Sequence, residues 1–142
     1  MYTRVMVPVD LAHKDKLGKS LEVAAKLAAT FGAELVFVGV TSALPGSLAH
    51  TPDEYARKLD AFAAEQGAAH GVPARGLARI GHDVIADLDA ALLEAVGETG
   101  ADLVVMQSHV PNITDYVWPS HGGHLARHAK VSVLIVRDGK EE

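Results

Sequence analysis

Residues 101–137 read ADLVVMQSHVPNITDYVWPSHGGHLARHAKVSVLIVR, and this stretch decides the fold. It holds two nearly continuous apolar runs, Leu103 to Gln107 and Ser132 to Val136, with a glycine-punctuated loop and a helical pattern between them. Unbroken apolar runs of this length are typical of strands that are covered on both faces in a parallel sheet. The helix should run from about Ser120 to about His128, so the stretch predicts a right-handed β-α-β unit.

Three further apolar runs precede this unit. Arg4 to Val9 and Glu34 to Val40 are nearly continuous, whereas Ala74 to Ile80 is more polar and is expected to be an edge strand. Helical patterns separate the runs: residues 18–32 end in a glycine, residues 51–71 begin with a threonine cap, and residues 82–101 repeat apolar positions at helical spacing. The alternation predicts an α/β fold, a single doubly wound domain over residues 1–142 with a five-stranded parallel sheet.

Composition excludes several classes of partner and chemistry. The formal charge is −5 without a basic stripe, so neither nucleic acid nor an acidic membrane surface is an expected partner. The absence of cysteine excludes disulfides and thiolate chemistry. No apolar run approaches the roughly 20 residues of a membrane span, and the chain enters a strand pattern without a signal segment. We therefore expect a cytoplasmic protein with no membrane insertion.

The fold class itself points to a site. In doubly wound sheets, ligands bind outside the carboxyl ends of the strands, where the strand order reverses. Asp10 directly follows the first strand, and its carboxylate could accept a hydrogen bond from a ribose hydroxyl or an adenine edge. An aspartate at this position is equally compatible with a turn or a helix N-cap. Both interpretations stay open at the level of sequence.

Four segments of the chain resemble the universal stress protein family: VMVPVD, GHDVIADLDAALLEAVGETGADLVV, GADLVVMQSH and DYVWPSHGGHLARHAKVSVLIVR. The resemblance covers nearly the whole chain. It implies a Rossmann-like sheet of the adenine nucleotide alpha hydrolase type with strand order 3-2-1-4-5, and a homodimer often made through the fifth strand. The spacing of SHVPNITDY is similar to the branch whose members bind ATP and are sometimes encoded beside transporters.

Nucleotide-binding members of that family carry a phosphate loop of the form Gly-x2-Gly-x9-Gly-Ser/Thr. In this chain Gln107, Val110 and Pro119 stand where that pattern has its three glycines, and Ser120 stands at the hydroxyl position. The loop between Val110 and Pro119 is also one residue shorter than the pattern. Because these changes deplete the loop while keeping a helix start that can bind anions, we expect weak nucleotide binding.

The remaining candidate contacts follow from the same match. The backbone of Val40 would meet the adenine, His109 could donate to a phosphate, and amides at the start of the last helix would complete the anion site. The full set of predicted site residues is Pro8, Val9, Asp10, Val40, Met106, Gln107, His109, Val110, Ser120, His121 and Gly122.

Three functional hypotheses remain. The first is a homodimeric universal stress protein that binds ATP, ADP or AMP weakly, with Mg²⁺ as a candidate companion, and acts on a regulatory protein partner such as a transporter. The second is a nucleotide-free dimer that acts only through protein contacts. The third, an ATP hydrolase, has no recognisable catalytic residue, so we expect no enzyme activity. His121, His124 and His128 lie near one helical face but lack a carboxylate or thiolate ligand, and we interpret them as surface histidines.

Overall fold

The computed structural model describes residues 1–46, 48–81, 84–107 and 121–137; the side chains of residues 84–87 and 121–124 are outside that description. Five parallel strands form one sheet in the order β3-β2-β1-β4-β5, which confirms the predicted topology. The strands are β1 (Arg4–Pro8), β2 (Glu34–Ser42), β3 (Ala74–Gly81), β4 (Leu103–Gln107) and β5 (Ser132–Val136). As predicted, the polar strand β3 lies at an edge.

Four α-helices connect the strands: α1 (Gly18–Phe31), α2 (Pro52–His70), α3 (Val84–Thr99) and α4 (His121–His128). The caps explain their ends. Thr51 Oγ1 accepts a hydrogen bond from Glu54 N–H at 3.0 Å at the start of α2. At the end of α1, Gly32 has φ 67°, a left-handed conformation that residues with a side chain rarely adopt. Its N–H donates a hydrogen bond to the Ala28 carbonyl. Among the described residues, no helix is both long enough and apolar enough to cross a membrane.

The sheet separates two apolar cores. Val5, Val7 and Val9 point toward α1 and α2, whereas Met6 points toward α3 and α4, as the two-residue repeat of a strand requires. Both faces of the central strands are therefore covered, which is why their sequences are continuously apolar rather than alternating.

Three strand ends and one connection differ from the sequence expectations. β1 ends at Pro8 rather than Val9, β2 continues to Ser42, two residues beyond its expected end, and β3 continues one residue further, to Gly81. The segment after β1, expected to be a plain loop, forms a 3₁₀ helix over Leu11–Lys16. Buried Leu11 and Leu17 hold this short helix against the core, a packing contact that local periodicity does not reveal.

Candidate functional site

The sheet opens between β1 and β4 toward their carboxyl ends. These strands pair only at Val5–Leu103 and Met6–Val104, whereas β4 pairs with β5 as far as Gln107–Val136. β1 and β4 are the neighbours between which the strand order reverses. The opening therefore lies at the topological switch point, where open α/β sheets bind ligands.

Pro8 supplies a physical reason for this opening. The Arg4 carbonyl accepts from Asp102 N–H at 3.0 Å on the β4 side, and Val9 N–H donates to the Val38 carbonyl at 2.9 Å on the β2 side. Counting in twos from Arg4, the backbone of Pro8 faces β4. Because proline has no N–H, the ladder to β4 loses a donor at this residue.

Asp10 follows the end of β1 and is engaged by its own loop. Its Oδ1 accepts from Ala12 N–H at 3.1 Å, which caps the 3₁₀ helix, and its Oδ2 lies 3.0 Å from Nδ1 of His13. The backbone at His13 is non-helical, with φ −127° and ψ 30°. The interpretation of Asp10 as a helix N-cap is thus confirmed. A carboxylate offers about four acceptor positions, so capacity for a ligand remains.

Tyr55 of α2 covers the carboxyl end of β2. The Tyr55 side chain is buried over Gly39, where an added Cβ would lie 2.2 Å from the phenol oxygen. Burial raises the pKa of Tyr55, and the negative charge of Asp10 adds to the rise. The phenol is therefore a neutral group close to the carboxylate.

Val40 continues β2 beyond the end of β1. The last pair between the two strands is Pro8–Val38, and the carbonyl of Val38 faces β1. Alternation turns the N–H and C=O of Val40 to the same side, past the point where β1 has ended. This placement is compatible with the predicted role of Val40 in offering backbone groups to an adenine edge.

Gln107 ends β4 as a buried polar side chain. It is only 2% exposed, and within the described part of the chain its Oε1 has no hydrogen-bond partner. Leaving a buried acceptor unpaired costs about 1–3 kcal/mol, so such groups usually mark a ligand, an ion or a water. Its neighbour Met106 is fully buried in the opposite core.

Five of the predicted residues lie at the carboxyl ends of the strands, on one side of the sheet: Pro8, Val9, Asp10, Val40 and Gln107. His109, Val110 and Ser120 lie outside the described residues, as does the side chain of His121; for Gly122 only the secondary structure is described. The predicted helix start at residues 120–122 is therefore represented only by the backbone of α4, which begins at His121. Among the described residues no cluster of histidines and carboxylates suits a metal ion.

Sequence reasoning missed three residues of this edge: His13, Gly39 and Tyr55. Gly39 carried a signal, since a glycine inside an apolar strand often marks the close approach of another group. The side chain that approaches Gly39 belongs to Tyr55, 16 positions later in the chain, and nothing in the sequence indicates this contact. Lys14 of the same 3₁₀ helix as His13 places its Nζ 5.9 Å from the centre of the Phe62 ring.

Comparison with known proteins gives one consistent family. The model of the universal stress protein family matches residues 1–137. Universal stress protein G of Salmonella typhimurium is 28% identical over 148 aligned residues, covering 96% of this chain and all of that protein.

Solved structures share the fold at lower identity. A universal stress protein in complex with cAMP is 21% identical with a TM-score of 0.67, covering 95% of this chain and 97% of its own. The universal stress protein of Archaeoglobus fulgidus in complex with dAMP is 17% identical with a TM-score of 0.66, covering 94% and 97% of the two chains.

Proposed function

The chain belongs to the universal stress protein family, and from that premise we propose that it binds an adenine nucleotide weakly and acts as a regulatory partner in the stress response. The observation that carries the proposal is the opening between β1 and β4, with Asp10 at the end of one strand and Gln107 at the end of the other. The buried Oε1 of Gln107 has no hydrogen-bond partner among the described residues. Relatives of the same fold that hold cAMP and dAMP support an adenine nucleotide as the ligand.

We expect weak binding because the carboxylate oxygens of the site already have partners. Asp10 contacts the Ala12 N–H and the His13 ring, so a ligand would share the carboxylate with these groups. Gln107 stands where the family pattern has a glycine, which removes backbone freedom from the start of the phosphate loop. We expect ATP, ADP and AMP to bind with dissociation constants on the order of micromolar to millimolar, each decade corresponding to about 1.4 kcal/mol.

Regulation rather than catalysis is the proposed outcome. A bound nucleotide changes what the protein contacts only by as much as it prefers one conformation over another. Phosphoryl transfer needs positioned charge and a metal ion, and Asp10 is the one carboxylate among the predicted site residues. We therefore propose a cytoplasmic binding protein without ATPase turnover, with a protein such as a transporter as its target.

A nucleotide-free interaction protein is the second candidate, and a specific observation favours it. Both oxygens of Asp10 have partners in its own loop, and Tyr55 fills the space over Gly39. When the polar groups of a region already have hydrogen-bond partners within the protein, that region can serve folding alone and bind no ligand.

Calorimetry on nucleotide-stripped protein separates the two candidates. Asp10→Asn retains a good N-cap but removes the charge, so its folding should be preserved while affinity for AMP falls about tenfold. Asp15→Asn, the same change at an exposed position of the same 3₁₀ helix, is the matched control and should bind like the wild type. The absence of heat at millimolar AMP and ATP with wild-type protein would establish the nucleotide-free candidate instead.

A further inference from the structure

The polar groups at the carboxyl ends of β1 and β4 both offer acceptor oxygens, and the Gln107 carboxamide also carries a donor NH2 group. The Asp10 carboxylate ends β1, and the Gln107 carboxamide oxygen ends β4 without a partner in the described part of the chain. Continuing the register from Met6–Val104 places Gln107 level with Val9, one residue before Asp10. The two side chains thus flank the opening that begins at Pro8.

The side chain of Gln107 lies on the same face of the sheet as Leu103 and Val105, by the two-residue repeat of β4. Its final torsion, which turns the carboxamide plane, is broad and soft. Rotation about this torsion redirects the oxygen without moving the rest of the side chain.

We propose that Gln107 is a specificity residue that accepts a hydrogen bond from a ribose hydroxyl, so that the site prefers ribonucleosides to deoxyribonucleosides. The inference rests on the proposed nucleotide binding and adds the chemical group that is recognised. It reverses the sequence interpretation of Gln107, in which the residue only depleted a phosphate loop.

The chemistry of the pair favours a sugar over a phosphate at this point. The negatively charged Asp10 carboxylate repels an anionic phosphate oxygen, whereas a neutral hydroxyl group can donate to that carboxylate or to the Gln107 oxygen. Ribose offers two adjacent hydroxyl groups, one for each acceptor. A site built to hydrogen-bond a hydroxyl discriminates against an analogue that lacks it, because its buried acceptor is then left unpaired.

The test compares three neutral ligands, adenosine, 2′-deoxyadenosine and 3′-deoxyadenosine, by calorimetry with wild-type protein and with Gln107→Met. Wild-type protein should bind adenosine at least fivefold more tightly than one of the deoxy forms. Gln107→Met, similar in length but without the amide, should bind all three within twofold of one another. Gln66→Met, the same change on α2, should keep the wild-type preference.

Stability gives a second measurement. Because the described chain offers Oε1 no partner to lose, the urea midpoint of Gln107→Met should equal or exceed that of the wild type. If Gln107→Met fails to fold, the comparison of adenosine with the two deoxyadenosines on wild-type protein still tests the proposed preference. Binding of adenosine without preference over either deoxy form would overturn the role of Gln107 and leave the proposed function intact. Absence of binding by every nucleoside and nucleotide would overturn both.

Discussion

Gly39 and Tyr55 show how one residue can depend on another from a different element. The phenol oxygen of Tyr55 occupies the space in which a side chain at position 39 would stand, and two ring atoms lie 3.0 Å from that point. Tyr55 is 4% exposed, so it has little room to move away. The bare backbone at Gly39 is therefore a requirement of packing rather than of backbone conformation.

Gly39→Ala should destabilise the protein by about 1–3 kcal/mol in urea unfolding, because overpacking a filled core forces neighbours out of their preferred rotamers. Adding Tyr55→Phe removes the nearest atom, so the double variant should lose at least about 0.5 kcal/mol less than the sum of the single changes. Gly97→Ala is the control: nothing lies within 4 Å of its added Cβ, and alanine is favoured in a helix. Additive single losses would show that Tyr55 is not the obstacle.

At the scale of elements, β1 and β4 are joined at one end and open at the other. Asp102, just before β4, accepts from Thr3 N–H at 2.9 Å and Arg4 N–H at 3.1 Å at the start of β1. Burial works to raise the pKa of Asp102, but these hydrogen bonds and one from the Thr3 hydroxyl outweigh it and lower the pKa. The amino-terminal ends of the two strands are thus tied by a charged side chain, opposite the end that Pro8 opens.

The lowered pKa of Asp102 predicts a pH dependence of stability. A carboxylate whose pKa is lower in the folded chain contributes stability above its unfolded pKa, and that contribution is lost as the pH falls through the folded pKa. Asp102→Asn should therefore be less stable than the wild type at pH 6, and the difference should shrink toward pH 2. Urea midpoints across this range measure it. A difference that stays constant with pH would mean that Asp102 acts through shape alone.

At the scale of the whole molecule, the two edges of the sheet differ. β3 carries Arg75 and Arg79, both in ion pairs, and charged side chains protect an edge from pairing. β5 is apolar, with Leu134 39% and Ile135 37% exposed. An apolar edge strand favours pairing with a second copy, which agrees with the predicted homodimer through the fifth strand.

Lysine at the β5 edge should therefore disrupt the dimer. We expect Leu134→Lys and Ile135→Lys to shift sedimentation from dimer to monomer at micromolar concentration, and proline at Leu134 to weaken both the dimer and the fold. Ile80→Lys is matched to them, because Ile80 is 60% exposed on the opposite edge strand, and it should leave the dimer unchanged. A wild-type monomer under the same conditions would contradict the prediction.

Much of the fold followed from local patterns in the sequence. Nearly continuous apolar runs identified four strands because strands covered on both faces need no polar side, and the more polar run Ala74 to Ile80 identified the edge strand. Thr51 and Gly32 marked helix ends through their capping chemistry. The order 3-2-1-4-5 came from the family resemblance and is confirmed. The candidate residues at strand ends were predictable because the carboxyl ends of parallel strands meet at one edge. Their roles as ligand contacts remain predictions.

How the side chains at these strand ends contact one another became visible only in the folded chain. The approach of Tyr55 to Gly39 joins residues of two elements through packing, which leaves no periodic trace along the chain. The His13 contact to Asp10 depends on the conformation of the folded loop. The burial of Gln107, whose Oε1 has no partner among the described residues, depends on what packs around the end of β4. The same holds for the opening after Met6. The proline at position 8 shows in the sequence that a backbone donor is missing. Only the strand order and the hydrogen bonds of β1 show that it is missing on the side of β4, where the strand order reverses.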